Sequence, residues 1–449
     1  MPHKILSIIY RIERHFTMRT KILLLILFIS IQAISQIPNP ALVGYWQNWN
    51  DANAPYIPLH QIDNRYNVIE IAFATPSFGT HASMQFIPDG STVQDFINDV
   101  HLLQSQNKKV LISIGGATDP VTIQDSIDKN EFVSTMLGIL NTYDFDGIDI
   151  DLEGNSLSVS GGTIANPTDS GIVYLIRGIR EIMQSYYAQH SKHLVLTMAP
   201  ETAYVQGGMS AFGSIWGAYL PVIEALKDSI DILQVQLYNS GSMYGLDGNV
   251  YTQGTEDFIV AMTEAVILGF STSGGNFSGL PANRVAVALP ACNLAAGGGY
   301  VSASSVISAL NYLLGNGPQP GNYSLRNSSG YPALRGMMTW SINWDATSNC
   351  SSVYDFATTY ETIFGSLSMI DKEEKNTFSF YPNPAGDLLN IQCSDVQVGE
   401  QKLKIFSITG VQMESILLQS HELSISLEKY PQGVYFLKIN ENTYKLIVE

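Results

Sequence analysis

Short apolar runs alternate with amphipathic stretches from residue 42 to residue 365. The apolar runs are nearly continuous, which is typical of strands that are buried on both faces of a parallel sheet. Between them, apolar residues recur at helical spacing, as Phe132, Met136, Ile139 and Tyr143 do. The predicted strands are residues 42–46, 68–74, 109–116, 147–153, 194–200, 232–239, 284–291 and 336–344, and further predicted helices are residues 169–189, 214–227, 256–268 and 302–314.

This alternation predicts an α/β fold, with a (β/α)8 TIM barrel over residues 40–365. A doubly wound sheet is the alternative, but such a sheet usually carries a Gly-rich nucleotide-binding turn after its first strand. The sequence GYWQNWN stands at that point instead. In a barrel the chemistry takes place at the carboxyl ends of the strands, so the last residues of each strand are the candidates for function.

The pattern changes after Gly365. Residues 366–376 are polar and charged, and we expect them to form a linker. Residues 377–449 carry short alternating runs that are separated by turn residues. This arrangement predicts a small all-β sandwich domain.

The start of the chain has the pattern of a secretory signal. Arg19 and Lys21 precede an apolar run over residues 22–31, and Ala33 and Ser35 form a small-x-small cleavage site. Residues 1–35 are therefore predicted to be a signal peptide, in which residues 1–17 form an upstream extension; an uncleaved anchor is the alternative. No later apolar run approaches transmembrane length, so we expect a secreted protein without stable membrane insertion.

The net charge limits the kinds of partner that the protein is expected to bind. The formal charge is −17, and a strongly acidic surface argues against nucleic acid or an anionic membrane as a partner.

The wide spacing of Cys292, Cys350 and Cys393 does not suggest a disulfide framework or a metal site. We expect three small buried residues, with a Cys292–Cys350 bridge as the alternative.

The fourth predicted strand carries a row of acidic residues in the sequence DGIDIDLE, residues 146–153. Side chains alternate along a strand, so Asp149, Asp151 and Glu153 share one face, whereas Asp146 has the opposite parity and a structural role is expected for it. Carboxylates roughly 7 Å apart inside a barrel cannot all ionise, so at least one pKa must rise. Glu153, at the end of the strand, is the candidate general acid.

Two other interpretations of this row are a metal site and a solvated surface strand. Clustered acids bind Ca²⁺ or Mg²⁺, but three residues on one strand converge poorly on a single ion. A surface strand is disfavoured by the intervening Ile148, Ile150 and Leu152. We therefore expect no metal and no cofactor.

The sequence DGIDIDLE resembles the D-x-x-D-x-D-x-E signature of glycoside hydrolase family 18, the chitinase family. Three further segments resemble motifs of that family in the same order, namely SIGG at 113–116, QVQLYN at 234–239 and MTWSINWD at 338–345. The resemblance covers about residues 40–365.

The resemblance implies a substrate-assisted retaining mechanism, an exception to the two-carboxylate rule. Glu153 would protonate the glycosidic oxygen, and the 2-acetamido carbonyl of the substrate would act as the nucleophile. Asp151 would orient the acetamide N–H, Asp149 would share a proton with Asp151, and Tyr238 would hold the acetamide carbonyl.

The resemblance also implies residues that bind the sugar. Trp340 would form the floor of the site beneath the pyranose ring. The remaining candidates, each with ordinary packing as the alternative, are Gln236, Asn239, Met198, Tyr45, Trp46 and Trp49. Only about 45 residues separate the last two predicted strands, too few for the α+β insertion of larger family members, which suggests an open groove that cuts within chains.

The last part of the chain, with YPNPAGDLLNI, KLKIFSITGVQM and YPQGVYFLKI, resembles the C-terminal sorting domain of the type IX secretion system of Bacteroidota. This implies the type IX secretion machinery as a partner and export to the cell surface or medium. A carbohydrate-binding sandwich is the alternative.

These features together predict a secreted endo-acting chitinase that hydrolyses β-1,4 bonds between N-acetylglucosamine units of chitin or its oligosaccharides. One alternative is an endo-β-N-acetylglucosaminidase that acts on the chitobiose core of N-glycans. The other is a non-catalytic chitin-binding lectin, but such lectins typically lose the terminal Glu, and Glu153 is present.

Overall fold

The computed structural model describes residues 37–350 and 352–365 and, in the rest of the chain, residues 378–381, 385–393, 402–407, 411–418, 420, 422–439 and 442–448. The chain divides into two compact units between Gly365 and Ser366, and each is described by itself. The predicted signal peptide and linker lie outside the described residues.

Eight parallel strands form the centre of the first unit. They are β1 (Ala41–Gln47), β2 (Val68–Pro76), β3 (Lys109–Gly116), β4 (Gly147–Leu152), β5 (Val195–Met198), β6 (Ile232–Leu233), β7 (Ala286–Pro290) and β8 (Gly336–Trp340). Their order in the sheet is β7-β8-β1-β2-β3-β4-β5-β6. Isolated parallel bridges, Leu233 to Val285 and Gln236 to Ala288, join β6 to β7 and nearly close the ring. The predicted TIM barrel is confirmed, and the doubly wound alternative is excluded.

Helices surround this sheet. They are α1 (Val93–Ser105), α2 (Ser126–Tyr143), α3 (Ser170–His190), α4 (Leu220–Leu226), α5 (Glu256–Leu268), α6 (Ala303–Leu313), α7 (Ile342–Asp345) and α8 (Asp355–Phe364). Side-chain oxygens of Thr92, Asp125, Thr255 and Ser302 accept backbone N–H groups at the starts of α1, α2, α5 and α6. These residue types are the ones that cap helix N-termini most effectively, so the sequence itself fixes where these helices begin.

Two apolar layers lie on the two sides of the barrel wall. Ile148 and Ile150 belong to the large cluster between the sheet and the helices. Val43, Leu111 and Met338 belong to a smaller cluster inside the barrel. Since side chains alternate along β4, the acidic residues between the two isoleucines point into the barrel.

The strand bounds differ most from the prediction at two places. The sixth strand is regular only over Ile232–Leu233, because β6 lies at the seam where single bridges replace continuous pairing. The eighth strand ends at Trp340, and Ser341 then caps the short helix α7 by accepting the N–H of Trp344.

The expectation of three unpaired cysteines is wrong for two of them. Cys292 and Cys350 form a disulfide, with Cα atoms 5.6 Å apart. They are far apart in sequence, but they follow β7 and β8, which pair in parallel and therefore end side by side. The side chain of Cys393 lies outside the described residues.

The second unit consists of two antiparallel sheets, as predicted. Its strands are β9 (Phe378–Tyr381), β10 (Leu388–Cys393), β11 (Lys402–Ser407), β12 (Gln412–Leu417), β13 (Glu422–Ser426), β14 (Gly433–Ile439) and β15 (Asn442–Val448). The sheet orders are β9-β10-β13 and β12-β11-β14-β15. Residues of both sheets, including Leu389, Ile391, Ile405 and Leu437, share one buried core.

None of the helices in the described part of the chain is both long enough and apolar enough to cross a membrane.

Candidate active site

A groove opens at the carboxyl ends of the barrel strands. It has a volume of about 530 Å³. Its walls come from β2, from the ends of β4 and β8, and from the segments that follow β1, β3, β4, β6 and β7. The lining residues are Asn48, Trp49, Ala72, Phe73, Thr75, Ala117, Thr118, Asp119, Asp151, Glu153, Gln236, Tyr238, Asn239, Ala295 and Trp340.

The acidic row of β4 runs from the barrel interior to the foot of this groove. Asp149 is fully buried and Asp151 is 2% exposed, whereas Glu153 is half-buried and follows the last residue of the strand. Asp151 and Glu153 both line the groove, and Asp149 lies beneath it. The row therefore carries carboxyl groups from a dry interior to a solvent-accessible surface.

Asp149 is held by three hydroxyl groups. Tyr45 and Ser113 each donate to its Oδ2 at 2.7 Å, and the Thr197 hydroxyl lies 2.7 Å from its Oδ1. Ser113 and Thr197 are its register partners on the two neighbouring strands, so the parallel pairing brings these donors to it. Burial raises the pKa of Asp149, and the three hydroxyl groups oppose that rise because they stabilise the carboxylate.

Gln236 connects the two carboxyl groups of the groove. Its Nε2 lies 2.9 Å from Asp151 Oδ1 and 2.8 Å from Glu153 Oε1, and it also donates to the carbonyl of Ala199 at 3.0 Å. One amide nitrogen thus fixes the spacing of Asp151 and Glu153. This contact explains why Gln236 is buried at the groove wall.

Burial raises the pKa of both Asp151 and Glu153. At Asp151 the repulsion from Glu153 and Asp149 adds to the effect, and at Glu153 the hydrogen bonds with Gln236 and Asp151 reduce it. Two adjacent carboxyl groups of this kind titrate as one system, because ionising both in a low dielectric is unfavourable. The pair therefore keeps a proton well above the pH at which an exposed carboxyl would lose it.

Two glycines at the end of β3 allow close packing there. Gly115 and Gly116 have positive φ angles of 108° and 82°. A Cβ on Gly115 would lie 2.5 Å from the carbonyl oxygen of Asp151, and a Cβ on Gly116 would lie 2.8 Å from the ring of Phe73. Gly115 is thus required for the close approach of β3 to the acidic strand, and a larger residue there would displace β4.

Tyr238 stands at the groove wall with its ring buried. Burial raises its pKa well above the usual value, and the nearby Asp151 and Glu153 add to this, so the hydroxyl keeps its proton. Among the described residues no hydrogen-bond partner is recorded for this hydroxyl. It is therefore a donor available to a ligand.

Aromatic rings form one side of the groove. Trp340 and Phe73 stack with ring centroids 5.9 Å apart and an interplanar angle of 12°. Trp49 stacks on Phe73 at 6.3 Å and lies 6.2 Å from Trp340. The predicted position of Trp340 in the site is thus observed, and Trp49 extends the same surface. Trp46, in contrast, is fully buried and donates to the carbonyl of Ile57.

Two of the predicted sugar contacts need correction. Met198 is fully buried in the cluster between sheet and helices, because it pairs with Ile150 and shares its outward orientation. Tyr45 lies inside the barrel but beneath the groove, where its hydroxyl binds Asp149. Neither residue is among those that line the groove. Asn239 does line it and is exposed.

Several residues of the site are absent from the predicted set. Phe73 stands at the end of β2, where the rule that strand ends carry function would have found it. Asp119 follows β3 and lines the groove. Glu70 gave no signal, since it is a single acid within the apolar run VIEIAFA. The described residues contain no cluster of three or more His, Cys, Asp or Glu suited to a metal ion.

A carboxyl pair that retains a proton, at the foot of an aromatic groove on a TIM barrel, is typical of enzymes that cleave glycosidic bonds by acid catalysis. The chain belongs to glycosyl hydrolases family 18, whose family model matches residues 41–362. Residues 379–449 match the secretion system C-terminal sorting domain. Both resemblances drawn from the sequence are confirmed.

Several known proteins are similar to this chain. Chitinase Chi52 of Paenibacillus xylanexedens is 45% identical over 69% of this chain and 59% of its own length. Chitinase D of Niallia circulans is 43% identical over 76% of this chain and 65% of its own length. The chain thus spans less than two thirds of either relative. The crystal structure of a family GH18 chitinase from Chromobacterium violaceum superposes with a TM-score of 0.64 at 34% identity, covering 72% of this chain and 84% of the other.

Replacing Asp149 by Ala is expected to destabilise the first unit by about 2–4 kcal/mol, because the buried hydroxyls of Tyr45 and Ser113 lose their acceptor. Urea unfolding followed by tryptophan fluorescence measures the effect, since all five tryptophans lie before residue 366. Asp149→Asn keeps the shape and an acceptor and should lose less. An Ala variant as stable as the wild type would contradict the role given to these hydroxyls.

Proposed function

We propose that this protein is a secreted chitinase that hydrolyses β-1,4 bonds between N-acetylglucosamine units and cuts within the chain. The observation that carries the proposal is the Glu153 carboxyl at the foot of the groove, joined to Asp151 by the amide of Gln236. Family membership and the chitinase names of the relatives support the substrate class.

In the first step Glu153 gives its proton to the glycosidic oxygen, and the bond from that oxygen to the anomeric carbon breaks. The carbonyl oxygen of the substrate's own 2-acetamido group attacks the anomeric carbon and closes an oxazolinium ring. This substrate-assisted route is one of the known exceptions to catalysis by two carboxylates. The leaving sugar departs as an alcohol, and Glu153 is left ionised.

Asp151 and Tyr238 orient the acetamide during this step. Asp151 accepts the acetamide N–H and stabilises the positive charge of the ring that forms. The Tyr238 hydroxyl, which has no recorded partner among the described residues, donates to the acetamide carbonyl from the groove wall. Gln236 keeps Asp151 and Glu153 at a fixed spacing, and Asn239 offers a further polar contact at the same wall.

In the second step water attacks the anomeric carbon and Glu153 accepts a proton from it. The oxazolinium ring opens, which restores the acetamide and retains the configuration. Glu153 is then protonated for the next cycle. Trp340 supports the sugar from below, since pyranose rings pack on aromatic faces and its ring is exposed to the groove.

Cutting within chains is supported by the segment between β7 and β8. Residues 291–335 contain the helix α6 and otherwise turns and loops, with no added α+β wall. A groove without such a wall accepts a polymer from the side, whereas a deep tunnel favours chain ends.

The proposed route of export follows from the two ends of the chain. Residues 1–35 would direct passage across the inner membrane. The sorting domain would then engage the type IX secretion machinery, with residues 366–376 as a linker between it and the barrel. In the sorting domain Tyr430 and Tyr435 are buried, which argues against a sugar-binding row of aromatic residues there.

Glu153→Gln is expected to lower kcat on chitin oligosaccharides by roughly 10²–10⁴-fold, the usual contribution of general acid catalysis. Binding should persist, because the amide has the shape of the carboxyl and the groove is unchanged. Steady-state kinetics and calorimetric binding of the oligosaccharide check both parts.

The matched control is Asp119→Asn, which alters a carboxylate that lines the groove outside the Asp151–Glu153 pair. Substrate assistance requires no second carboxylate, so this variant should lose far less activity than Glu153→Gln. If Asp119→Asn were equally inactive, a two-carboxylate mechanism would replace the one proposed. If Glu153→Gln kept near-normal turnover, the acid would have to be another residue.

The proposed cleavage within the chain is tested by identifying the oligosaccharide products. Incubation with a hexamer of N-acetylglucosamine should give dimers, trimers and tetramers from the first cleavages, as expected for internal cutting, when followed by mass spectrometry over time. Dimers and tetramers alone from the earliest times would indicate action from a chain end. Release of glycans from a high-mannose glycoprotein with an intact hexamer would identify an endo-β-N-acetylglucosaminidase instead.

A further inference from the structure

A fourth carboxyl group lies inside the barrel beneath the groove. Glu70 is on β2, is fully buried and stands in register beside Tyr45 of β1. It does not line the groove, so it does not contact a sugar. A buried carboxyl without a cation is costly, and its contacts should reveal why it is tolerated.

The contacts of Glu70 form a chain to Asp149. Gln234 Nε2 lies 2.6 Å from Glu70 Oε1 and 2.8 Å from its Oε2. The Thr197 hydroxyl lies 2.9 Å from Glu70 Oε1 and 2.7 Å from Asp149 Oδ1. The Thr197 hydroxyl thus stands between the two carboxyl groups, and the Tyr45 hydroxyl, which donates to Asp149, also interacts with Glu70.

The single hydrogen of the Thr197 hydroxyl determines which of the two acids, Glu70 or Asp149, carries a proton. A threonine hydroxyl has one hydrogen to donate, and it accepts through its lone pairs. Asp149 also accepts from the hydroxyls of Tyr45 and Ser113, and these hydrogen bonds stabilise its carboxylate against the effect of burial. Thr197 therefore donates to Asp149, and the contact with Glu70 is satisfied only if Glu70 is the donor. Glu70 is then a neutral acid.

The electrostatic surroundings agree with this assignment. The titratable groups that face Glu70 are Tyr45 from β1, Asp149 and Asp151 from β4, and Tyr238 from the segment after β6. None of them is basic. Burial, and then the charge of Asp149, raises the pKa of Glu70 well above its usual value.

We propose that Glu70 is a positioning residue for the proposed reaction: as a neutral acid it donates to Thr197, commits the Thr197 hydroxyl to Asp149 and keeps Asp149 ionised. The proton of the groove then lies on Asp151 and Glu153, since the fixed charge of Asp149 opposes ionisation of that pair. This differs from the proton shared between Asp149 and Asp151 that the family resemblance implies. The inference rests on the proposed function for its catalytic consequence but not for the location of the proton.

The location of the proton is tested by stability. A group whose pKa is raised in the fold stabilises it below the unfolded pKa, and this contribution is lost as the pH rises towards the folded pKa. Glutamine mimics the neutral acid but does not titrate. The unfolding constant of the wild-type full chain, divided by that of Glu70→Gln, should therefore rise roughly tenfold per pH unit above about pH 4.3. Urea unfolding followed by tryptophan fluorescence measures this ratio, and a ratio that is independent of pH would overturn the neutral state.

The positioning role is tested by the pH profile of kcat/KM on the N-acetylglucosamine hexamer. Glu70→Gln should keep the alkaline limb of the wild type. Thr197→Val and Glu70→Leu should each move that limb to lower pH by about half to one pH unit, because Asp149 loses hydrogen-bonding support. The double variant should show no further shift, since Glu70 acts through Thr197.

The positioning role would be overturned if the alkaline limb of the pH profile stayed in place in Thr197→Val, or if it moved equally in Glu70→Gln. These two variants decide the matter even if Glu70→Leu fails to fold. A wild-type protein without activity on the hexamer would reject the proposed function instead. The stability ratio would then still decide the protonation state of Glu70.

Discussion

Among the described residues, no Lys or Arg forms an ion pair with the carboxyl groups inside this barrel. Glu70, Asp149, Asp151 and Glu153 follow one another from the core to the groove. Apart from the contact between Asp151 and Glu153, the hydrogen bonds to their side chains come from hydroxyl and amide groups. In a medium of low dielectric constant such groups cannot all be charged. The protein must therefore retain protons near the groove, and the arrangement of neutral donors decides which carboxyl groups keep them.

The parallel barrel supplies this arrangement through strand register. Ser113 and Thr197 lie beside Asp149 on the neighbouring strands, so hydroxyls meet the acid whose ionised form is needed. Farther along β4, the hydrogen-bond donor to the acids is an amide and not a hydroxyl, because Gln236 contacts both Asp151 and Glu153. Hydroxyls around one carboxyl and a shared amide at the next pair give neighbouring acids different roles. Gly115, with its positive φ, lets the main chains of β3 and β4 approach each other closely beside Asp151.

The sequence predicted most of the fold and the acidic row, because eight apolar runs and alternation of acids are strong local signals. It failed where orientation depends on neighbours. Met198 belongs to a regular strand of only four residues, and its outward direction follows from pairing with Ile150. Tyr45 lies inside the barrel but beneath the groove, where its hydroxyl binds Asp149. The role of Glu70 could not be predicted, because a single acid in an apolar strand gives no periodic signal. Its hydrogen-bond partners, Thr197 and Gln234, are distant in sequence.

The central claim is the distribution of protons among these acids, and neutron diffraction from a deuterium-exchanged crystal at neutral pH measures it most directly. The account predicts one deuterium on Glu70 directed at Thr197, one shared by Asp151 and Glu153, and none on Asp149. Nuclear density for deuterium on Asp149 with a bare Glu70, or a cation among the four carboxyl groups, would contradict it.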